Sequence, residues 1–207
     1  MTIDHKFIDQ FVNITSKAAV ASYNLIGKKD KIAADKATVD SMRNNLNQLN
    51  IKGKIVIGEG ELDEAPMLYI GEEVGTRNGP EIDIAVDPLE GTNFAANNLP
   101  GALSVIAIAE KNNLFNAPET YMEKISAKVN EKGVVDLDYS TKENIFNLCE
   151  YLNKKPESIT ACIMDRPRHK DIIDELNILG VKVKLITDGD VSGALLVTDD
   201  KYGVDIF

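Results

Sequence analysis

The chain has 207 residues, 43% of them hydrophobic and 27% charged, with 14 Gly and 7 Pro. A chain of that size and composition can bury roughly 70% of its unfolded surface, which excludes a disordered protein or one that depends on disulfide staples. Its 33 acidic against 23 basic residues give a net charge of −10 with no Lys/Arg run and no Trp, which excludes a basic nucleic-acid face and a base-stacking platform.

The N-terminal stretch MTIDHKFIDQFVNIT mixes charges into its apolar positions and offers no signal-peptide core. No run approaches the roughly 18 apolar residues of a membrane span. Phe7, Phe11, Ile14, Ala18, Ala21 and Leu25 recur at helical spacing until Gly27. A second amphipathic helix is predicted from Ala34 to Leu49. The period then changes. Residues 54–58 (KIVIG) form a β-type run, followed by an acidic loop from Glu59 to Glu64. Ile82 to Asp87 alternates and predicts a strand ending at Pro88. Leu103 to Ala109 is a further strand, and Lys111–Asn113 reads as the turn before another. Ser140 and Glu143 have capping-box spacing and open a helix to about Leu152.

The last third alternates strand and helix: Ile159–Met164, then Lys170–Leu179 stopped by Gly180, then Val181–Ile186. This predicts a βαβ unit on a parallel sheet. Tyr202 to Phe207 starts as one more strand. A boundary is expected near the Glu131–Gly133 turn or before Ser140, dividing the chain into 1–138, an α+β domain, and 139–207, part of an α/β domain. Cys149 and Cys162 lack metal or redox spacing and read as reduced core thiols, with the cytoplasm as the natural compartment.

Three acidic clusters fall at the ends of predicted strands: Glu59 and Glu61 between glycines, Asp87 with Glu90, and Asp188 with Asp190 around Gly189. Ligand sites in α/β sheets gather at strand carboxyl ends, and carboxylates suit Mg²⁺ or Mn²⁺. Each cluster alone also reads as a solvated loop. Asp87-Pro-Leu-Glu-Gly-Thr92 is more specific. Gly91 and Thr92 can turn backbone N–H groups toward a phosphate, and the Thr92 hydroxyl can orient a water. The plainer reading is a capped turn with Thr92 as N-cap. Arg166 and Arg168 sit between a strand and a helix start, where the dipole disfavours cations unless an anion or a nearby acid such as Asp165 is present. His169 reads as a surface or capping residue.

Gly58-Glu-Gly-Glu61 followed by Asp87–Thr92 resembles the signature of the lithium-sensitive, metal-dependent phosphatase superfamily. Lys31–Asp35, Ile55–Leu68, Asn116–Pro118, Tyr121–Lys124, Arg166–His169 and Asp188–Asp190 narrow the resemblance to class II bacterial fructose-1,6-bisphosphatases, in order and spacing, over nearly the whole chain. The resemblance implies an α/β fold, a layered α-β-α-β-α sugar-phosphatase-like architecture with its second domain incomplete. It implies hydrolysis of the 1-phosphate of fructose 1,6-bisphosphate, a gluconeogenic step, with Mn²⁺ or Mg²⁺ as cofactor. Metal ligands carry over to Asp35, Glu59, Asp87 and Glu90, and the catalytic group to Thr92, with Asp35 and Glu59 beside it. Substrate contacts carry over to Glu90, Gly91, Thr92, Tyr121, Arg166, Pro167, Arg168, Asp188, Gly189 and Asp190. Where Arg166 stands the family often has Lys, which keeps the charge and changes the geometry. Family members continue past this C-terminus through a glycine-rich phosphate loop and a further glutamate ligand, so a truncated chain is expected, a homo-oligomer when full length. The expected partner is a small sugar bisphosphate, with no nucleic acid and no membrane.

Three alternatives stand beside this. A sedoheptulose-1,7-bisphosphatase or inositol-monophosphatase activity would use the same chemistry on another sugar. An inactive truncated protomer would lack the last ligand. A calcium-binding EF-hand loop from Asp188 to Asp199 has suitable acids, but wants Glu at its last position and a helix, not a strand, before it.

Overall fold

The computed structural model describes residues 6–58, 68–118 and 120–207. The chain divides into two compact units, Met1–Thr120 and Tyr121–Phe207. This division falls before the 138/139 boundary expected from the sequence, because residues 121–140 contribute Ile125, Ala127, Val129, Val134 and Val135 to the second core.

In the first unit, α1 (Lys6–Ala21) presents Phe7, Phe11, Ile14 and Ala18 as one buried stripe. α2 (Lys31–Leu46) starts earlier than its apolar pattern suggests, because Asp30 caps it, accepting the Ala33 N–H at 2.9 Å. Both helices lie against a four-stranded sheet in the order β2-β1-β3-β4. β1 (Lys52–Ile57) runs parallel to β3 (Glu81–Glu90), while β2 (Glu73–Val74) and β4 (Leu103–Glu110) are antiparallel to their neighbours. Ile55, Val74, Ile82 and Ile84 meet Val39, Met42 and Leu46 in the core between helices and sheet.

β3 does not end at Pro88. It continues to Glu90, and two pairings explain how proline is accommodated. β1 accompanies β3 only as far as the Ile57–Ala85 pair, and toward β4 the register shifts between Asp87–Val105 and Glu90–Leu103. Pro88 therefore occupies a bulge, where its missing N–H costs no ladder bond. The short helix α3 (Thr92–Ala96) follows directly. The turn at Lys111–Asn112 forms, with Asn112 at φ 66°. Among the described residues, no named strand follows it before α4, contrary to expectation.

In the second unit, α4 (Thr141–Leu152) has the full capping box: Ser140 accepts the Glu143 N–H, and Glu143 accepts the Ser140 N–H at 2.8 Å. β5 (Thr160–Met164), α5 (Lys170–Ile178) and β6 (Lys182–Ile186) form the expected βαβ unit, with β5 and β6 parallel from Thr160–Lys182 to Met164–Ile186. Successive β5 side chains serve two cores: Ala161 joins Ile145, Leu148 and Leu176, and Cys162 joins Val197 and Val204. Layers of helix and sheet in both units make this an α/β protein. Both cysteines are buried and free, and burial pushes both thiols above their ordinary pKa. Residues 202–207 do not form the expected strand. Ile206 makes single bridges to Ala127 and Ala161, and Ser126 and Phe207 exchange N–H···O bonds at 2.8 Å.

Candidate active site

Because β1 and β3 run parallel, their carboxyl ends reach the same edge of the first sheet. β1 leads there to Gly58, and β3 to Asp87 and Glu90. Glu90 is buried, 3% exposed, as the last residue of β3. Gly91 then turns the chain in the left-handed region, φ 77° and ψ 47°, which an L side chain rarely adopts. A Cβ there would also stand 2.8 Å from the Phe94 ring. Thr92 is consequently the first residue of α3, not its N-cap, which is Gly91.

The helix carrying Asp35 comes to this corner. Ala34, next to Asp35 on α2, packs with Leu89 of β3 and Ala95 of α3 in one buried cluster. The loop ahead of α2 is fastened to α3, the Gly27 N–H donating to the Ala95 carbonyl at 2.9 Å and the Lys29 N–H to that of Ala96 at 2.8 Å. Asp35 Oδ1 is buried and has no hydrogen-bond partner among the described residues, and burial raises the carboxyl's pKa. A half-buried carboxylate with an oxygen left over is the donor that a hard cation takes.

Glu59 lies outside the described residues, as does the rest of 59–67. The neck of that loop is described. A Cβ on Gly58 would come within 2.1 Å of the Leu68 carbonyl oxygen. Ile55 and the 71–72 turn exchange backbone bonds, Gly71 N–H to Ile55 O at 2.8 Å and Ile55 N–H to Glu72 O at 2.9 Å. Arg43 of α2 forks onto Glu72, Nε to Oε1 at 2.7 Å and Nη2 to Oε2 at 2.9 Å. Among the described residues, no group of three or more His, Cys, Asp or Glu side chains stands close enough to hold a metal.

In the second unit, other residues that the resemblance assigns to substrate lie at the carboxyl ends of β5 and β6. Arg166 does not pair with the Asp165 carboxylate. Its guanidinium donates to two backbone carbonyls, Asp165 at 2.9 Å and Thr187 at 2.8 Å, and so ties the two strand-end loops together. Pro167 opens the single 3₁₀ turn Pro167–His169. Arg168 lies over the Tyr121 ring, 4.4 Å from its centroid. Tyr121 is 83% exposed, in a segment without regular structure. The His169 ring bonds to the Met164 carbonyl through Nδ1 at 2.8 Å, and the residue stands at the N-cap position of α5 without a side-chain cap bond.

Gly189 is buried, and Asp190 opens the short helix α6 (Asp190–Leu195). With strand β6 on its entering side and a helix from Asp190, the segment 188–199 is not an EF-hand loop. Asp190 Oδ2 accepts from Lys124 Nζ at 2.8 Å. Lys124 is the residue that sequence reasoning left out of the site, although it stands inside the quoted Tyr121–Lys124 stretch.

Comparison with known proteins agrees with this arrangement of motifs. A profile of the bacterial, glpX-encoded fructose-1,6-bisphosphatases matches residues 5–207. A protein of Synechococcus sp. (strain CC9902) called D-fructose 1,6-bisphosphatase class 2/sedoheptulose 1,7-bisphosphatase is 50% identical over 193 residues, 93% of this chain and 58% of its own length. Proteins of the same name from Thermosynechococcus vestitus and Prochlorococcus marinus (strain MIT 9301) are each 48% identical, over 90% and 93% of this chain and 57% and 58% of their own. The chain thus spans somewhat over half the length of the curated relatives it matches. It belongs to the family of bacterial, glpX-encoded fructose-1,6-bisphosphatases.

Proposed function

We propose that the chain carries the reacting-phosphate and sugar-binding residues of a metal-dependent bisphosphatase that converts fructose 1,6-bisphosphate to fructose 6-phosphate and phosphate. The observation that carries this reading is the corner where Leu89 and Ala95, on either side of Glu90, Gly91 and Thr92, pack against Ala34, next to Asp35. The donor types suit a hard divalent ion, since Asp35 offers a buried oxygen without a hydrogen bond and Asp87, Glu90 and Glu59 are further carboxylates, while Asp35, Asp87 and Glu90 do not by themselves stand as a closed metal group. Mn²⁺ or Mg²⁺ held by these four residues would supply water activation and charge neutralisation at the transferring phosphoryl group.

The chain's own groups do the rest. The Thr92 hydroxyl holds and orients the attacking water beside the phosphorus. As the water oxygen bonds to phosphorus, the bond to the sugar O1 breaks; one proton of the water passes to O1, which leaves as the alcohol, and the other stays on the released phosphate. Arg166 and Arg168 offer guanidinium donors suited to a phosphate, and Tyr121 backs Arg168 with its ring face. Asp188 and Asp190 accept hydrogen bonds from sugar hydroxyls. Sedoheptulose 1,7-bisphosphate is the second substrate reading, on the double name of the relatives. We further propose a cytoplasmic homo-oligomer; among the described residues, no helix is long and apolar enough to cross a membrane.

The test is phosphate release from each bisphosphate with Mn²⁺, with Mg²⁺ and after chelation. It is run on this chain and on the protein read through to its stop codon where the reading frame continues. Metal-dependent release from fructose 1,6-bisphosphate is expected. Release that survives chelation overturns the metal assignment. No release from any protein containing these residues overturns the activity and leaves the inactive-protomer reading.

A further inference from the structure

The segment 121–124 crosses the carboxyl ends of β5 and β6 and is fastened at both of its ends. At one end the Tyr121 ring lies under the Arg168 guanidinium, in the loop after β5. At the other, the Lys124 ammonium reaches Asp190 Oδ2 at 2.8 Å, in the turn after β6. Arg166, bonded to the Thr187 carbonyl, closes the third side between the two loops. Tyr121, Arg166, Arg168 and Asp190 are all assigned above to the sugar phosphate. Lys124 is assigned to nothing, yet it is the only cation paired with Asp190 among the described residues.

An isolated Asp190 carboxylate has two equivalent oxygens and free rotation. With Oδ2 engaged by an ammonium, Oδ1 remains as the acceptor for a sugar hydroxyl, and the carboxylate keeps one orientation at the start of α6. The pair is part-exposed, with side chains 47% and 36% accessible, so it adds little to folding. An ordered acceptor at a ligand site is a different matter, because it spares the ligand the cost of ordering it.

We propose that Lys124 is a positioning residue of the sugar-phosphate site: its ammonium holds the Asp190 carboxylate in the orientation that accepts the sugar hydroxyl. The inference rests on the sugar-phosphate reading given above. It differs from direct phosphate binding by Lys124 in one respect: the effect of Lys124 must pass through Asp190.

The experiment is calorimetric titration of the chain with fructose 6-phosphate, using the parent, Lys124→Met, Lys124→Arg, Asp190→Asn and the Lys124→Met/Asp190→Asn double variant. Thermal unfolding of each variant serves as the fold control. Lys124→Met is expected to weaken binding about tenfold, the size of one charge-assisted hydrogen bond, and Lys124→Arg to recover most of it. The double variant should bind as Asp190→Asn alone does, since the two residues act as one unit. KM for fructose 1,6-bisphosphate should rise in Lys124→Met by more than kcat falls.

Two results would overturn the inference while leaving the bisphosphatase reading intact. One is a parent that hydrolyses the bisphosphate with Lys124→Met affinity and KM within twofold of it. The other is a double variant whose loss is the product of the single losses, which would mean that Lys124 meets the ligand itself. A parent that neither binds fructose 6-phosphate nor hydrolyses the bisphosphate overturns both.

Discussion

Single side chains at the end of β3 decide what this corner can do. Thr92 contributes one hydroxyl at the first residue of α3, and losing one positioned group of this kind costs about 10²–10⁴ in rate. Thr92→Ala should therefore lower kcat by that factor with Mn²⁺ affinity nearly kept, and Thr92→Ser should keep most of kcat; equal rates for Thr92→Ala and the parent would remove the role. Asp35 makes a different prediction. Burial raises its carboxyl pKa, so its contribution to stability is present below the ordinary value of 3.8 and is lost as the pH rises through the raised folded value. At pH 7 the metal-free chain bears that penalty. Asp35→Asn should raise its Tm, and Mn²⁺ should stabilise the parent more than the variant. A metal-free Asp35→Asn variant that melts below the parent would contradict this account. Gly58 belongs with them, because a Cβ there would meet backbone, the Leu68 carbonyl at 2.1 Å. Gly58→Ala should cost about 1–3 kcal/mol in denaturant unfolding, the usual result of overpacking.

Among the elements, α4 shows how a helix boundary is written in a few residues. Ser140 and Glu143 satisfy each other's backbone N–H groups, and the chain turns out of the helix at Asn153, φ 52°. The Ser140 hydroxyl and N–H hold the Glu143 carboxyl below its ordinary pKa of 4.5. That stabilisation is present above 4.5 and is lost as the pH falls through the lowered folded value. Ser140→Ala should cost about 0.5–2 kcal/mol, the usual loss of an N-cap, and should flatten the acid side of the stability profile. A variant with the parent's Tm at neutral pH and the same acid limb would show that the cap contributes nothing. β3 illustrates the opposite case. Its ten residues hold Pro88 only because β1 has already stopped and β4 has shifted register.

At the scale of the molecule, each unit has its own principal core. Ile84, Met42 and Leu46 centre the first, and Ile145, Leu148 and Ile159 the second. Leu148 is fully buried, so Leu148→Ala should cost about 2–5 kcal/mol through lost contact and a residual cavity. Amide hydrogen exchange should show the acceleration in α4, β5 and α5, whose side chains share that cluster. Protection in those elements equal to the parent's would refute the core assignment.

Much of this protein was readable in one dimension. The spacing of Phe7, Phe11, Ile14 and Ala18, the Ser140–Glu143 box, the Gly180 stop and the strand-helix-strand rhythm after Ile159 each depend on residues no more than a few positions apart, the range over which periodicity and capping act. The Asp87–Thr92 motif was readable for the same reason, being contiguous. Asp30 is not legible as the cap of α2 because the apolar pattern starts only at Ala34, and Pro88 reads as a terminus because what relieves it lies on other strands. The last residues have the pattern of a strand, yet Ile206 makes only single bridges, one of them to Ala127 far away in the chain. Asp35 entered the site only through resemblance, and its packing beside Leu89 and Ala95 is tertiary. Lys124 with Asp190, and Arg168 over Tyr121, join residues more than forty positions apart. Such contacts form only after the strands have paired and brought their ends together, and no local pattern of hydrophobicity or charge encodes them.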